Sequence, residues 1–156
     1  TIHRVENVGD KNNFTKILKT LEEISVSRKL VFPVHPVTKK RIASLGYESL
    51  LEKMVLTEPL GYLDFMKLTR ESSGVITDSG GIQEETSHLG IPCATLRDNT
   101  ERPVTVELGT NKLFLIENLD AENVMKHLEN DNFKPGKIPL WDESVSERIM
   151  RVVSEI

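Results

Sequence analysis

Residues 78–85, Asp78-Ser79-Gly80-Gly81-Ile82-Gln83-Glu84-Glu85, carry the densest chemistry of the chain: two glycines beside a hydroxyl, then paired carboxylates. They follow Gly74-Val75-Ile76-Thr77, which reads as a strand, and open a segment whose apolar spacing reads as a helix from Ile82 to Leu89. Without Cβ atoms, Gly80 and Gly81 let backbone approach a ligand, and Ser79 adds a hydroxyl donor. The free amides and the dipole of a helix starting here favour phosphate oxygens. Glu85, about one turn in, cannot hold phosphate but can accept hydrogen bonds from ribose hydroxyls. An ordinary strand-to-helix turn, with acidic residues complementing the dipole, explains the pattern equally well.

Arg102, in Thr100-Glu101-Arg102-Pro103, falls after the next strand, on the same sheet edge. Its guanidinium fork suits a diphosphate or sugar hydroxyls, with Glu101 holding its orientation; a surface arginine at a helix start is the simpler account. His3, in His3-Arg4-Val5-Glu6-Asn7, can donate to phosphate or move a proton near neutral pH, although a solvated terminal loop also accounts for it. His35 lies at a strand end before Pro36, facing the same cleft or satisfied by backbone. Phe65 shares a helical face with Tyr62 and Met66, which makes it core by default and a surface for a base otherwise. No His/Asp/Glu spacing implies a metal. Cys93 is the only cysteine, so no internal disulfide forms; an inert core thiol and an intracellular origin are the easier readings.

These residues need strands and helices in alternation to bring them to one edge. Phe14, Ile17, Leu18, Leu21 and Ile24 recur at helical spacing, followed by Leu30 to Val34 as a buried strand. Met54 to Thr57 repeats the strand signature, Tyr62 to Thr69 the helical one, and Gly74 to Thr77 is a third strand. After the helix ended by Gly90 come a strand at Pro92 to Leu96, a helical turn at Pro103 to Leu108 ended by Gly109, and a strand at Leu113 to Ile116. Asp120 caps a further helix, and Ser144 with Glu147 forms a capping box for the last, Ser144 to Ile156; Asn130 to Leu140 is a linker between them. The alternation predicts a Rossmann-like, doubly wound parallel sheet, with ligands at the carboxyl ends of its strands.

With 156 residues the chain suits one domain, residues 1–156, around one core. A formal charge of -4 leaves no broad basic surface, which argues against nucleic acid and anionic membranes as partners. The longest apolar run, Leu113 to Ile116, falls far short of the roughly 20 residues that a spanning helix needs. The start at Thr1, without an initiator methionine or signal sequence, is that expected of part of a longer chain.

Five segments taken together resemble the UDP-N-acetylglucosamine 2-epimerase family. They are Thr1 to Asn7, Pro33-Val34-His35-Pro36, Glu58 to Phe65, Thr77 to Glu85, and Leu96 to Pro103 running on through Glu107-Leu108-Gly109-Thr110, in the family's order across nearly the whole chain. The resemblance implies one half of a glycosyltransferase-B type fold: the C-terminal, UDP-binding half, with the N-terminal catalytic half absent. It implies an isomerase that interconverts UDP-N-acetylglucosamine and UDP-N-acetylmannosamine by eliminating UDP to a glycal and adding it back.

Carried over by motif, Ser79, Gly80 and Gly81 bind the diphosphate, Glu85 the ribose, Leu60 and Phe65 surround the uracil, and Arg102 lies near sugar and diphosphate. His3 would stabilise the departing phosphate as the catalytic residue of this half. His35 matches an element associated with a regulatory second UDP-N-acetylglucosamine, but Val37 stands where asparagine is common. The family's carboxylates for proton transfer lie in the other half, so the chain alone is expected to be inactive. No cofactor is implied. The expected partners are UDP-N-acetylglucosamine, UDP-N-acetylmannosamine, UDP and the missing half, within a cytoplasmic homodimer serving polysaccharide biosynthesis. The alternatives are a stand-alone nucleotide-sugar binding module and a hydrolysing epimerase that releases N-acetylmannosamine and UDP. The last is ranked lower because the Glu58-to-Tyr62 and Leu96-to-Pro103 segments resemble the reversible group more closely. The terminal helix is expected to expose Val145, Ile149 and Val153.

Overall fold

The computed structural model describes residues 1–129 and 138–155. Most of the expected linker, with Pro135 and Gly136, and the terminal Ile156 lie outside them. The first two helices are α1 (Val5–Gly9) and α2 (Lys11–Ser27), the second capped by the Asp10 carboxylate, which accepts from the Asn13 N–H at 2.8 Å. The five apolar residues expected on one face of α2 are all buried. Strand β1 (Val31–Pro33) leads through α3 (Pro36–Leu45) to β2 (Val55–Thr57), and α4 (Tyr62–Arg70) leads on to β3 (Val75–Thr77). Then α5 (Gly80–Leu89), β4 (Cys93–Thr95), α6 (Pro103–Glu107), β5 (Asn111–Leu113), α7 (Ala121–Leu128) and α8 (Val145–Ser154) complete the order.

Among the described residues every strand pairing is parallel, as helical crossovers require. The ladders form two groups, β1-β2 and β3-β4-β5. Val31 is in register with Val55, and Val75, Cys93 and Asn111 align across the second group. Between the groups runs an apolar cavity of about 460 Å³ whose walls include Phe32, Val75 and Ile76. Thr1 lies at its end: its backbone nitrogen donates to the Ile76 carbonyl at 2.8 Å, and the Asp78 N–H donates to the Thr1 carbonyl at 3.3 Å. Those two bonds are the pairing of a parallel strand on the free edge of β3.

Several elements differ from the sequence reading. Helix α3 lacks an apolar stripe, burying only Thr38 and Ile42; Pro36 at its first turn and Gly46 at φ 66° define it instead. Strand β5 lies earlier than Leu113–Ile116, because Asn111 is buried with its amide bonded to other polar side chains. Helix α5 starts at Gly80, two residues before Ile82. Asp120 caps α7 as expected, but Ser144 makes no capping bond; the Asp142 carboxylate accepts from the Ser144 N–H and from Arg148. The apolar stripe of α8 is exposed, Ile149 and Val153 by more than half. Among the described residues no helix is long and apolar enough to cross a membrane.

Candidate functional site

The carboxyl ends of β1 and β3 converge with the N-terminal segment on a cavity of about 370 Å³. Ser79, Gly81 and Glu85 enter it from α5, Tyr62 and Phe65 from α4, and His3 and His35 from the two loops beside them. Ser79 is the N-cap of α5, yet its side chain makes no capping bond, and its own N–H donates to Thr77 Oγ1 at 3.0 Å. The first turn of α5 therefore presents amides that the helix itself cannot satisfy, together with the positive end of its dipole.

Gly80 explains how cations join this turn. A Cβ built there would lie 3.7 Å from the Arg102 guanidinium carbon and 3.8 Å from Arg4 Nη2. Arg102 Nε sits 2.7 Å from Glu84 Oε2, so α5 itself holds this guanidinium. Glu101, expected to hold it, adds a second and longer ion pair. Its carboxylate takes two bonds from Arg97, both 3.0 Å, and lies 4.0 Å from Arg102. The bonds from Arg97 hold the Glu101 carboxyl down to about 2.

Asp78 organises the other side of the cavity. Its fully buried carboxylate accepts from the backbone N–H groups of His3 at 3.0 Å and Arg4 at 2.9 Å and from the Asn7 amide at 3.1 Å. The His3 ring nitrogen Nδ1 lies 3.3 Å from the same carboxylate, which turns the other ring nitrogen away from Asp78. Partial burial lowers the His3 pKa; Asp78 opposes that shift, while His35, the amino terminus and Arg4 add to it. Burial, then the Glu84 charge, raises the Glu85 carboxyl.

Of the residues singled out from sequence, His3, His35, Phe65, Ser79, Gly81 and Glu85 meet at this cavity, and Gly80 and Arg102 adjoin it. Leu60 is partly exposed and is not part of the lining. The default reading of the α4 face as core fails for Tyr62, which is 67% exposed; Phe65 is half-buried. His35 Nδ1 accepts from the Val37 N–H at 3.3 Å, capping α3, while its ring lies 5.7 Å from that of His3. Cys93 is fully buried, and its thiol pKa is raised by that burial. Sequence reasoning missed Arg4, Asp78 and Gln83 as members of the site. Arg4 and Asp78 stood inside segments already singled out, but the contact between them spans 74 residues and has no local signal.

Parallel strands joined by helices, with polar groups gathered beyond the strands' carboxyl ends, define a Rossmann-like α/β domain. The family model for UDP-N-acetylglucosamine 2-epimerase matches residues 1–154, and the chain belongs to that family. It is similar to the UDP-N-acetylglucosamine 2-epimerase of Methanocaldococcus jannaschii, 37% identical over 99% of this chain and 43% of the relative. It is also similar to that of Bacillus subtilis, 36% identical over 96% of this chain and 41% of the relative. The chain thus spans less than half the length of these relatives. The crystal structure of the M. jannaschii enzyme in complex with UDP-GlcNAc and UDP superposes with a TM-score of 0.85, at 37% identity, covering 99% of this chain and 44% of that one. The enzyme from Neisseria meningitidis bound to UDP-GlcNAc superposes with a TM-score of 0.76 at 31% identity, covering 99% and 43%.

Proposed function

We propose that this chain is the UDP-binding half of a UDP-N-acetylglucosamine 2-epimerase, interconverting UDP-N-acetylglucosamine and UDP-N-acetylmannosamine once joined to a second half. The observation that carries this is the meeting of the α5 N-terminus with Arg102, Arg4 and His3, in a fold that superposes on an enzyme complexed with UDP-GlcNAc and UDP. Helix amides at Ser79, Gly80 and Gly81, with the two guanidiniums, suit a diphosphate. Glu85 suits the ribose hydroxyls and Phe65 a base.

In the elimination step a base takes the proton from sugar carbon 2 while the bond from carbon 1 to the diphosphate oxygen breaks, its electron pair leaving with UDP. The developing charge falls on the oxygen held by the α5 amides and Arg102, with His3 alongside. The reverse addition delivers the proton to the opposite face. The acid and base for carbon 2 come from the second half, so this chain alone turns over no substrate. The whole enzyme is a cytoplasmic homodimer in polysaccharide synthesis, with no cofactor of its own.

Calorimetric titration with UDP and UMP, repeated on Arg102→Ala and Glu85→Ala, tests the binding half. Saturable UDP binding, weakened about tenfold or more by each substitution, is expected; unchanged binding in both variants refutes the placement. Rejoined to its N-terminal half, the protein is expected to exchange the carbon-2 hydrogen of substrate with solvent deuterium. Release of free N-acetylmannosamine would mark the hydrolysing reaction instead.

A further inference from the structure

Behind the cavity lies a polar network that is hydrogen-bonded to one of its walls, Ser79. Gln83, fully buried on α5, donates from Nε2 to the Ser79 carbonyl at 3.2 Å. Its Oε1 accepts from the Thr100 hydroxyl at 2.6 Å and from the Asn111 amide at 3.1 Å. The Thr100 hydroxyl in turn accepts the Arg102 N–H at 3.0 Å. The Arg102 carbonyl accepts from the Thr105 hydroxyl at 2.8 Å, and that hydroxyl is held by the Asn111 amide at 3.2 Å. Both backbone groups of Arg102 are thus fixed by side chains that Gln83 and Asn111 anchor. A buried amide is expensive to leave unpaired, so a network satisfied at every named atom has essentially one low-energy arrangement.

We propose that Gln83 is a positioning residue of the anion site. It ties the Ser79 carbonyl to the Thr100–Arg102 turn, fixes the guanidinium against the α5 N-terminus, and thereby gives the site its preference for a diphosphate over a monophosphate. The inference rests on the UDP reading above and adds to it the residue that sets the spacing between helix amides and arginine. Without that tie the guanidinium keeps its charge and its Glu84 contact, but its backbone is free to shift, and a shift of an ångström is enough to lose a bidentate contact.

The test is titration of UDP and UMP into Gln83→Met, Thr100→Val and Thr100→Ser. Gln83→Met and Thr100→Val are expected to weaken UDP about tenfold and UMP much less, and Thr100→Ser, which retains the hydroxyl, to bind as the parent does. Should Gln83→Met fail to fold, Thr100→Val carries the test, since Thr100 is only partly buried. Combined with Arg102→Ala, Thr100→Val is expected to cost nothing further, because its effect runs through the guanidinium. Equal losses for UDP and UMP, or an undiminished loss in the Arg102→Ala background, would overturn the positioning role. A parent chain that binds UDP no better than UMP, or binds neither, would overturn the nucleotide reading and this inference with it.

Discussion

At Gly80 stability and binding are set against each other. A methyl group there meets Arg102 and Arg4 at ordinary contact distances, 3.7 and 3.8 Å, and no left-handed backbone stands in its way. Gly80→Ala is therefore expected to fold, gaining up to about 1 kcal/mol in a thermal or urea melt through a stiffer unfolded chain. The same methyl occupies the space between amides and guanidiniums, so UDP affinity is expected to fall about tenfold or more, read by calorimetry. A variant that binds as tightly as the parent would move the phosphates elsewhere. His3 offers a second reading. Burial and its cationic neighbours hold its pKa down, and a diphosphate bound beside it opposes that shift, so UDP binding near neutral pH is expected to take up a proton. Titrations in buffers of different ionisation enthalpy measure that uptake, and its absence in His3→Gln assigns it. Glycines, hydroxyl and carboxylate of residues 78–85 were legible in the sequence because their chemistry is local. Asp78 was read only as part of that run, because its role depends on partners more than 70 positions away.

Elements were legible where an apolar stripe made them so. Helix α2 buries every residue that its spacing selects, whereas α3 buries two and could be read only from Pro36 and Gly46. Gly90 closes α5 in the left-handed conformation expected of a terminator, at φ 74°. Gly109 had been assigned the same task after α6, but its backbone is not left-handed, and the reason for glycine is different. A Cβ there would come within 2.4 Å of Ser87 Oγ and 2.6 Å of the Thr105 carbonyl, so α5, α6 and β5 meet at a point with room for a hydrogen only. Gly109→Ala is expected to destabilise the fold by about 1–3 kcal/mol through overpacking. Pairing it with Ser87→Ala should restore only part of that loss, because the Thr105 carbonyl belongs to the backbone. Thermal melts of the single and double variants decide the point; full restoration would place the strain on the serine alone.

For the molecule as a whole, the sequence pointed to one parallel sheet, and the structure places its strands in two ladders with an apolar cavity between them. Thr1 lies beside that gap, its backbone nitrogen donating to the Ile76 carbonyl at 2.8 Å in a ladder position on the edge of β3. His3 and His127 tie the stability of this arrangement to pH. Burial lowers both pKa values, so near and below the ordinary histidine value the unfolded chain holds protons that the folded chain does not, and stability rises with pH across that window. It is fully present above the ordinary histidine value and is lost as pH falls toward the lowered values of the folded state. His127, on α7, reaches the Cys93 carbonyl of β4 at 3.0 Å, so its share of the slope reports how α7 seats on the sheet. Urea melts in a pH series are expected to show a shallower slope for His127→Gln than for the parent. Identical slopes in the two proteins would show that this ring is not buried against β4 in solution.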